Sequence, residues 1–372
     1  MTDVPATRRR QLRTWRRGTA DWLLEGHPTQ QPLLDLASND YLGLSRHPEV
    51  LSAAEQELRN QGLGAGGSRL VTGSRPSHAQ LEMALATWLK RERVLLYPSG
   101  FQANIAALSA LADRHTTVIA DRFIHHSLLV GIRACGARLI RYRHNDINDL
   151  SKRLNQASGR VVVVTESLFS MEGTSPDLHA IADLCRSRGA TLLVDEAHAL
   201  GVLGHGGRGL CHGLEPPVTL ISGTFGKAFG SGGAFLAGDA TVGDHLLQTS
   251  GPFRYTTALA PALAAGALRA LQLIEDHPEW GQDLIIRAAR WRDGLVHLGW
   301  PRPLGIGPVL PLVLGTDQEA LDLQQRLERQ GLLSVAIRPP TVPEGTSRLR
   351  LVLRNDLPAG TSKLLFDAVG PR

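Results

Sequence analysis

Short apolar runs alternate with stretches of helical periodicity from residue 94 onward: RVLLYPSG, TTVIADR, ARLIRYRHND, RVVVVTES, ATLLVDEAHA, VTLISGT and GAFLAG. Gly, Ser or Asp bounds each run, and a helix-length segment separates most of them. Strands buried on both faces read as unbroken apolar runs, so the pattern predicts an α/β chain with a mostly parallel central sheet and helices on both faces. The helices are equally legible. In PSHAQLEMALATWLKR, Leu81, Leu85, Trp88 and Leu89 fall on one face, and Ser77 stands where it can cap the first turn.

After RYTTALAPALAAGALRALQLIE the pattern changes. RPLGIGPVLPLVLG, LLSVAIRPPTVP and SRLRLVL read as strands with a helix among them, which predicts a smaller C-terminal α+β domain. The expected division is an N-terminal arm at 1–42, a large domain at 43–274 and a small one at 275–372.

Composition narrows the class. The 372 residues are 42% hydrophobic, 5% aromatic and 20% charged, enough for a large core and poor in the rings that stack on bases, so no nucleic-acid partner is expected. No stretch approaches the roughly 18 apolar residues of a spanning helix, and no apolar segment follows Arg8, Arg9 and Arg10. A cytoplasmic chain without a membrane partner is the expectation. Cys135, Cys185 and Cys211 are odd in number and widely spaced, which supports neither a disulfide framework nor a zinc ribbon. The net charge of +5 gathers partly at Arg8, Arg9, Arg10, Arg13, Arg16 and Arg17. That cluster reads either as a solvated basic helix or as a patch for an acidic partner.

The chemistry concentrates on strand ends. TLLVDEAH puts Asp195 at the carboxyl end of a buried strand, where open α/β sheets bind ligands, and His198 follows three residues later. Lys227 stands just past the next strand, in ISGTFGKAFGSGGAFLAG, among small residues rather than other charges. An Asp after a strand is often only a helix cap, so the combination carries more than any member. His198, His205 and His212 have no metal-ligand spacing, and no metal is expected. Pyridoxal phosphate (PLP) fits better: it needs a lysine for a Schiff base, a carboxylate at its pyridine nitrogen and donors for its phosphate. Ser99-Gly100-Phe101 in YPSGFQAN opens a helix and can cup the phosphate. Thr224 and Ser170 offer hydroxyls, and His125 in DRFIHHSL, with His126 beside it, offers an imidazole to stack on the ring.

Taken in order, SNDYLGL, GAGGSR, HAQLE, YPSGFQAN, TESLFSMEG, VDEAH, GRG and GTFGKAFG resemble the α-oxoamine synthases, a family of fold-type I PLP-dependent enzymes, over almost the full chain. The resemblance implies that Lys227 is the Schiff-base lysine, Asp195 the partner of the pyridinium nitrogen, His198 the neighbour of the ring hydroxyl and His125 the stacking group. It implies that Gly100 and Phe101 bind phosphate through their backbone, with Ser170 and Thr224 assisting. YTTALAP resembles the segment that reaches the other subunit's phosphate, so Thr256 and Thr257 imply a homodimer. Asn39 and Arg350 would hold an amino-acid carboxylate, with Arg13, Arg338 and Thr341 as further substrate contacts.

AIRPPTVPEGTSRLRL is similar to the branch that condenses L-alanine with a pimeloyl thioester, carried by coenzyme A or an acyl carrier protein, to give 8-amino-7-oxononanoate and CO2 for biotin. DEAHALGV and GKAFG are shared with sister enzymes that take glycine, and those are the alternative. An aminotransferase of the same fold would share Asp195 and Lys227 but carry a different C-terminal arginine pattern. A binding module would leave the ordered set unexplained.

Overall fold

The computed structural model describes residues 4–26 and 31–372, so the parts of the N-terminal arm at 1–3 and 27–30 lie outside the described residues. β1 (Trp15–Arg17), β2 (Leu23–Gly26) and β3 (Pro32–Asp35) form an antiparallel meander. The basic segment is therefore no helix beyond a single 3-10 turn at Ala6–Arg8. Its arginines lie on the turn, on irregular chain and on β1, an edge strand paired to β2 along one side.

α1 (Pro48–Gln61) and α2 (Pro76–Leu89) come next. Ser77 does not cap α2. Pro76 occupies the first helical position, so the cap falls on Arg75, whose N–H donates to His78 Nδ1 at 3.0 Å, and Ser77 is buried within the first turn. The apolar face holds as expected, with Leu81, Leu85, Trp88 and Leu89 all buried.

The main sheet follows: β4 (Arg93–Tyr97), α3 (Gly100–Leu111), β5 (Thr117–Asp121), α4 (His126–Ala134), β6 (Arg138–Tyr142), α5 (Ile147–Gln156), β7 (Val161–Glu166), α6 (Leu178–Ser187), β8 (Thr191–Asp195), β9 (Leu220–Thr224) and β10 (Ala234–Gly238). The seven strands lie in the order β4-β10-β9-β8-β7-β5-β6. All run parallel except β10, which is antiparallel to both neighbours. These are the seven apolar runs of the sequence. Their side chains, among them Leu95, Val118, Val162, Leu193, Leu220 and Leu236, form one core with Ala103, Ala106 and Ala107 of α3. Three alanines on one face let that helix lie close to the strands. α7 (Ala240–Thr249), α8 (Gly251–Arg254) and α9 (Pro261–Asp276) complete this part, with α9 packed on α1 and α2.

α10 (Glu279–His297), β11 (Val309–Gly315), α11 (Asp317–Arg329), β12 (Leu332–Leu333), β13 (Val335–Ile337), β14 (Ser347–Val352) and α12 (Thr361–Val369) follow. β11-β14-β13 make a small antiparallel sheet, and β12 adds in parallel to β3.

The chain divides into two compact units: one of Met1–Gly43, Ser170–Thr174 and Gln282–Arg372, the other of Leu44–Phe169 and Ser175–Gly281. This differs from the three-part division drawn from the sequence. The β3–β12 pairing joins the N-terminal residues to the C-terminal unit instead of leaving them as an arm. The packing of α9 keeps the chain with the large unit up to Gly281.

Candidate active site

In the larger unit, β4, β5, β7, β8 and β9 point the same way, because β10 reverses direction between β4 and β9. Their carboxyl ends share one edge, with Glu166 in register with Asp195, and Asp195 with Ser222. A cavity opens there, lined by Gly100, Phe101 and Asn104 of α3, His125 and Ser127 at α4, Glu166, Asp195, His198, Thr224 and Lys227. Seven residues expected from the sequence thus meet: Lys227, Asp195, His198, His125, Gly100, Phe101 and Thr224.

Local chemistry fixes each position. The Ser99 hydroxyl caps α3 by accepting from Gln102 N–H at 3.3 Å, so the first turn of α3 faces the cavity with its positive end. Asp195 Oδ1 accepts the Ala197 N–H at 2.9 Å, and Oδ2 accepts from Asn104 Nδ2 at 2.8 Å. Thr224 Oγ1 donates to the Gly233 carbonyl at 3.0 Å and accepts the Gly226 N–H at 3.2 Å, which ties down the turn carrying Lys227. That turn closes with the Gly230 N–H donating to the Lys227 carbonyl at 2.9 Å. Gly230 has φ +62°, and a Cβ there would stand 2.2 Å from Ser45 N, so small residues around the lysine are a packing requirement.

His125 is the N-cap of α4, its Nδ1 2.7 Å from Ser127 Oγ. Loss of water around the ring holds the imidazole below its ordinary range. Asp195 pulls it up, and Lys227 and His126 push it down.

The other expected residues lie elsewhere. Arg350 is buried in the smaller unit, donating from Nε to the Ser170 carbonyl at 2.7 Å and from Nη2 to Asn39 Oδ1 at 2.9 Å. Burial lowers its guanidinium, with the Tyr41 hydroxyl opposing, and burial pushes Tyr41 itself up to about 12. Ser170 thus joins Asn39 and Arg350 rather than the cavity wall. Arg13 pairs with Glu328 at 2.5 Å and lies over the Trp15 ring, Arg338 donates to the Thr7 carbonyl, and Thr341 accepts from Arg10 at 3.1 Å. Thr256 and Thr257 are outside the cavity wall, and Thr257 bridges to Ser68.

The family model for aminotransferase class I and II matches residues 31–368. An 8-amino-7-oxononanoate synthase of Pseudomonas putida (strain W619) is 43% identical over 343 residues, covering 91% of this chain and 88% of its own. The chain belongs to the 8-amino-7-oxononanoate synthase family. A serine palmitoyltransferase solved with PLP superposes at TM-score 0.92 and 26% identity, over 96% of this chain and 91% of its own. An 8-amino-7-oxononanoate synthase from Francisella tularensis superposes at TM-score 0.79 and 26% identity, over 91% of this chain and 96% of its own. The fold is that of fold-type I PLP-dependent enzymes, and the chain is a PLP-dependent transferase of biotin biosynthesis.

The cavity suits the cofactor of the synthase family. A Cβ built on Gly100 would meet nothing closer than Thr224, at 3.7 Å, so the lack of a side chain leaves an open cradle at the positive end of α3. Asp195, with both oxygens held, suits a pyridinium nitrogen, and the His125 ring suits a flat one. Asn104, Ser127 and Glu166 complete the wall and are new relative to the sequence expectations. Asn104 ends the YPSGFQAN segment, and its position four residues after Gly100, on the same helical face, was the available signal.

Proposed function

We propose that this chain condenses L-alanine with a pimeloyl thioester, on coenzyme A or an acyl carrier protein, releasing CO2 and the thiol carrier to give 8-amino-7-oxononanoate. The observation that carries this is the meeting of Lys227, Asp195, His198 and His125 beside the Gly100 cradle, in a chain 43% identical to a curated synthase. Bound PLP supplies the electron sink that makes the Cα proton of the amino acid removable.

The remaining roles fall to the chain. Lys227 Nζ holds the cofactor and then takes and returns the Cα proton. When PLP is bound, Asp195 would face its pyridine nitrogen, His198 its ring oxygen and His125 the ring itself. Gly100 and Phe101 N–H groups would hold the phosphate side, with Thr224 bracing the lysine turn beside them, and Thr256 and Thr257 would serve the partner's phosphate in a homodimer. Arg350 and Asn39 would hold and orient the substrate carboxylate. Arg13, Arg338 and Thr341 contact substrate. No helix among the described residues is long and apolar enough to cross a membrane, and we place the reaction in the cytoplasm.

Product analysis by mass spectrometry tests the reading. Purified protein is given L-alanine or glycine with pimeloyl, acetyl and succinyl thioesters. The product 8-amino-7-oxononanoate is expected from alanine plus the pimeloyl donor alone, and lost in Lys227→Ala. Turnover of glycine with acetyl or succinyl donors would overturn the substrate assignment.

A further inference from the structure

We propose that Asn104 and Ser127 are positioning residues: the Asn104 amide locks the Asp195 carboxylate and, through the Ser127 hydroxyl, fixes the proton of His125 on Nε2. Both are buried, at 2% and 0% exposure. Asp195 Oδ2 only accepts, so the group facing it at 2.8 Å is the amide nitrogen, Nδ2. The second hydrogen of Nδ2 goes to Ser127 Oγ at 2.9 Å. The Ser127 N–H donates to His125 Nδ1 at 3.3 Å, which makes that nitrogen an acceptor, so at 2.7 Å from it the Ser127 hydroxyl is the donor. A nitrogen receiving two donors carries no proton, which leaves the imidazole as the Nε2–H tautomer.

Two further observations favour a functional chain over a packing accident. Asn104 Oδ1 is buried without a hydrogen-bond partner, so the amide is oriented for its donors at the expense of its acceptor. The two helices also approach closely enough only because residue 131 is Gly: a Cβ there would stand 2.9 Å from Leu108 Cδ1 and 3.1 Å from the Asn104 carbonyl. One side chain thus serves two groups that face the cofactor. The inference rests on the reading of Asp195 and His125 as PLP contacts, and its test does not depend on which amino acid or thioester reacts.

The test uses ¹⁵N-imidazole NMR on the full apoprotein, with the His125 signal assigned by its loss in His125→Asn, and PLP affinity by equilibrium dialysis. Besides Ser127, the titration of His125 is exposed to Asp195, Lys227 and His126, and to Glu166 and His198 across the cavity, all of which the variants keep. Wild-type His125 is expected as the Nε2–H tautomer. Ser127→Ala should mix the tautomers and raise the titration midpoint by about half a pH unit or more, and Ser127→Thr should restore both. Asn104→Ala should weaken PLP binding about tenfold, and the isosteric Asn104→Asp, which keeps the volume if Ala fails to fold, should weaken it at least as much. An unchanged tautomer and midpoint in Ser127→Ala, or wild-type PLP affinity in both Asn104 variants, would overturn the proposal.

Discussion

Gly100 shows how much a single residue decides. It opens α3 with an ordinary helical backbone, so the glycine is not there for a left-handed φ, and a methyl group would find Thr224 at a comfortable 3.7 Å. The space that methyl would fill is the cradle in front of the first-turn N–H groups. Gly100→Ala is therefore expected to leave the thermal midpoint within a few degrees of wild type while weakening PLP about tenfold, the two being read by calorimetry and by dialysis. A large drop in midpoint would show that the glycine serves packing instead. At this scale Lys227, Asp195, His198 and His125 were legible as a set of chemistry-bearing types placed after strand ends, and they line one cavity. Asn104 and Ser127 were not, because an amide and a hydroxyl on helices have many ordinary uses, and only the α3–α4 approach shows where their hydrogens go.

The loop after β8 makes the same point for an element. Glu196 follows Asp195 but turns inward, fully buried, accepting the Leu210 N–H at 2.7 Å and the Cys211 N–H at 3.2 Å. It thereby folds back the glycine-rich HALGVLGHGGRGLCH segment, and Gly209 at φ +83° has no room for a Cβ, which would stand 2.1 Å from Glu196 Oε2. Burial pushes the Glu196 carboxyl up to about 7, with the Leu210 N–H, the Ser167 hydroxyl and the Cys211 N–H opposing it. In the unfolded chain the carboxyl ionises near its ordinary value of 4.5. Between that value and about 7 the unfolded state has given up a proton the folded state keeps, so this group makes stability fall as pH rises through the window. The effect is at most roughly 3 kcal/mol. Glu196→Gln keeps an acceptor for the two N–H groups and removes the titration, so urea midpoints from pH 4.5 to 8 should show a flatter decline than wild type. Equal slopes would mean that Glu196 does not titrate there. Apolar runs made the seven strands of the sheet readable, but the composition of this loop carried no sign of the carboxylate that organises it.

Over the whole molecule, contacts far apart in sequence decide what windows of sequence cannot. Asp35 and Arg354, 319 positions apart, pair at 2.9 Å with 0% and 1% of their side chains exposed. Arg354 also binds Asp356 at 2.7 Å and lies 3.5 Å from Asp40. One guanidinium thus bridges three carboxylates where the N-terminal strands join the C-terminal sheets, a long-range contact invisible to the division of the chain drawn from sequence texture. Arg354→Met fills much of the volume but leaves buried negative charge without a partner, a change that costs about 3–5 kcal/mol in comparable sites. Adding Asp35→Asn to Arg354→Met removes one of the stranded charges. Urea denaturation of the wild type, the single variant and the double variant reads this directly: partial recovery in the double variant would establish the charge origin. No recovery would assign the loss to packing, and the salt-bridge account of how this unit closes on itself would fall.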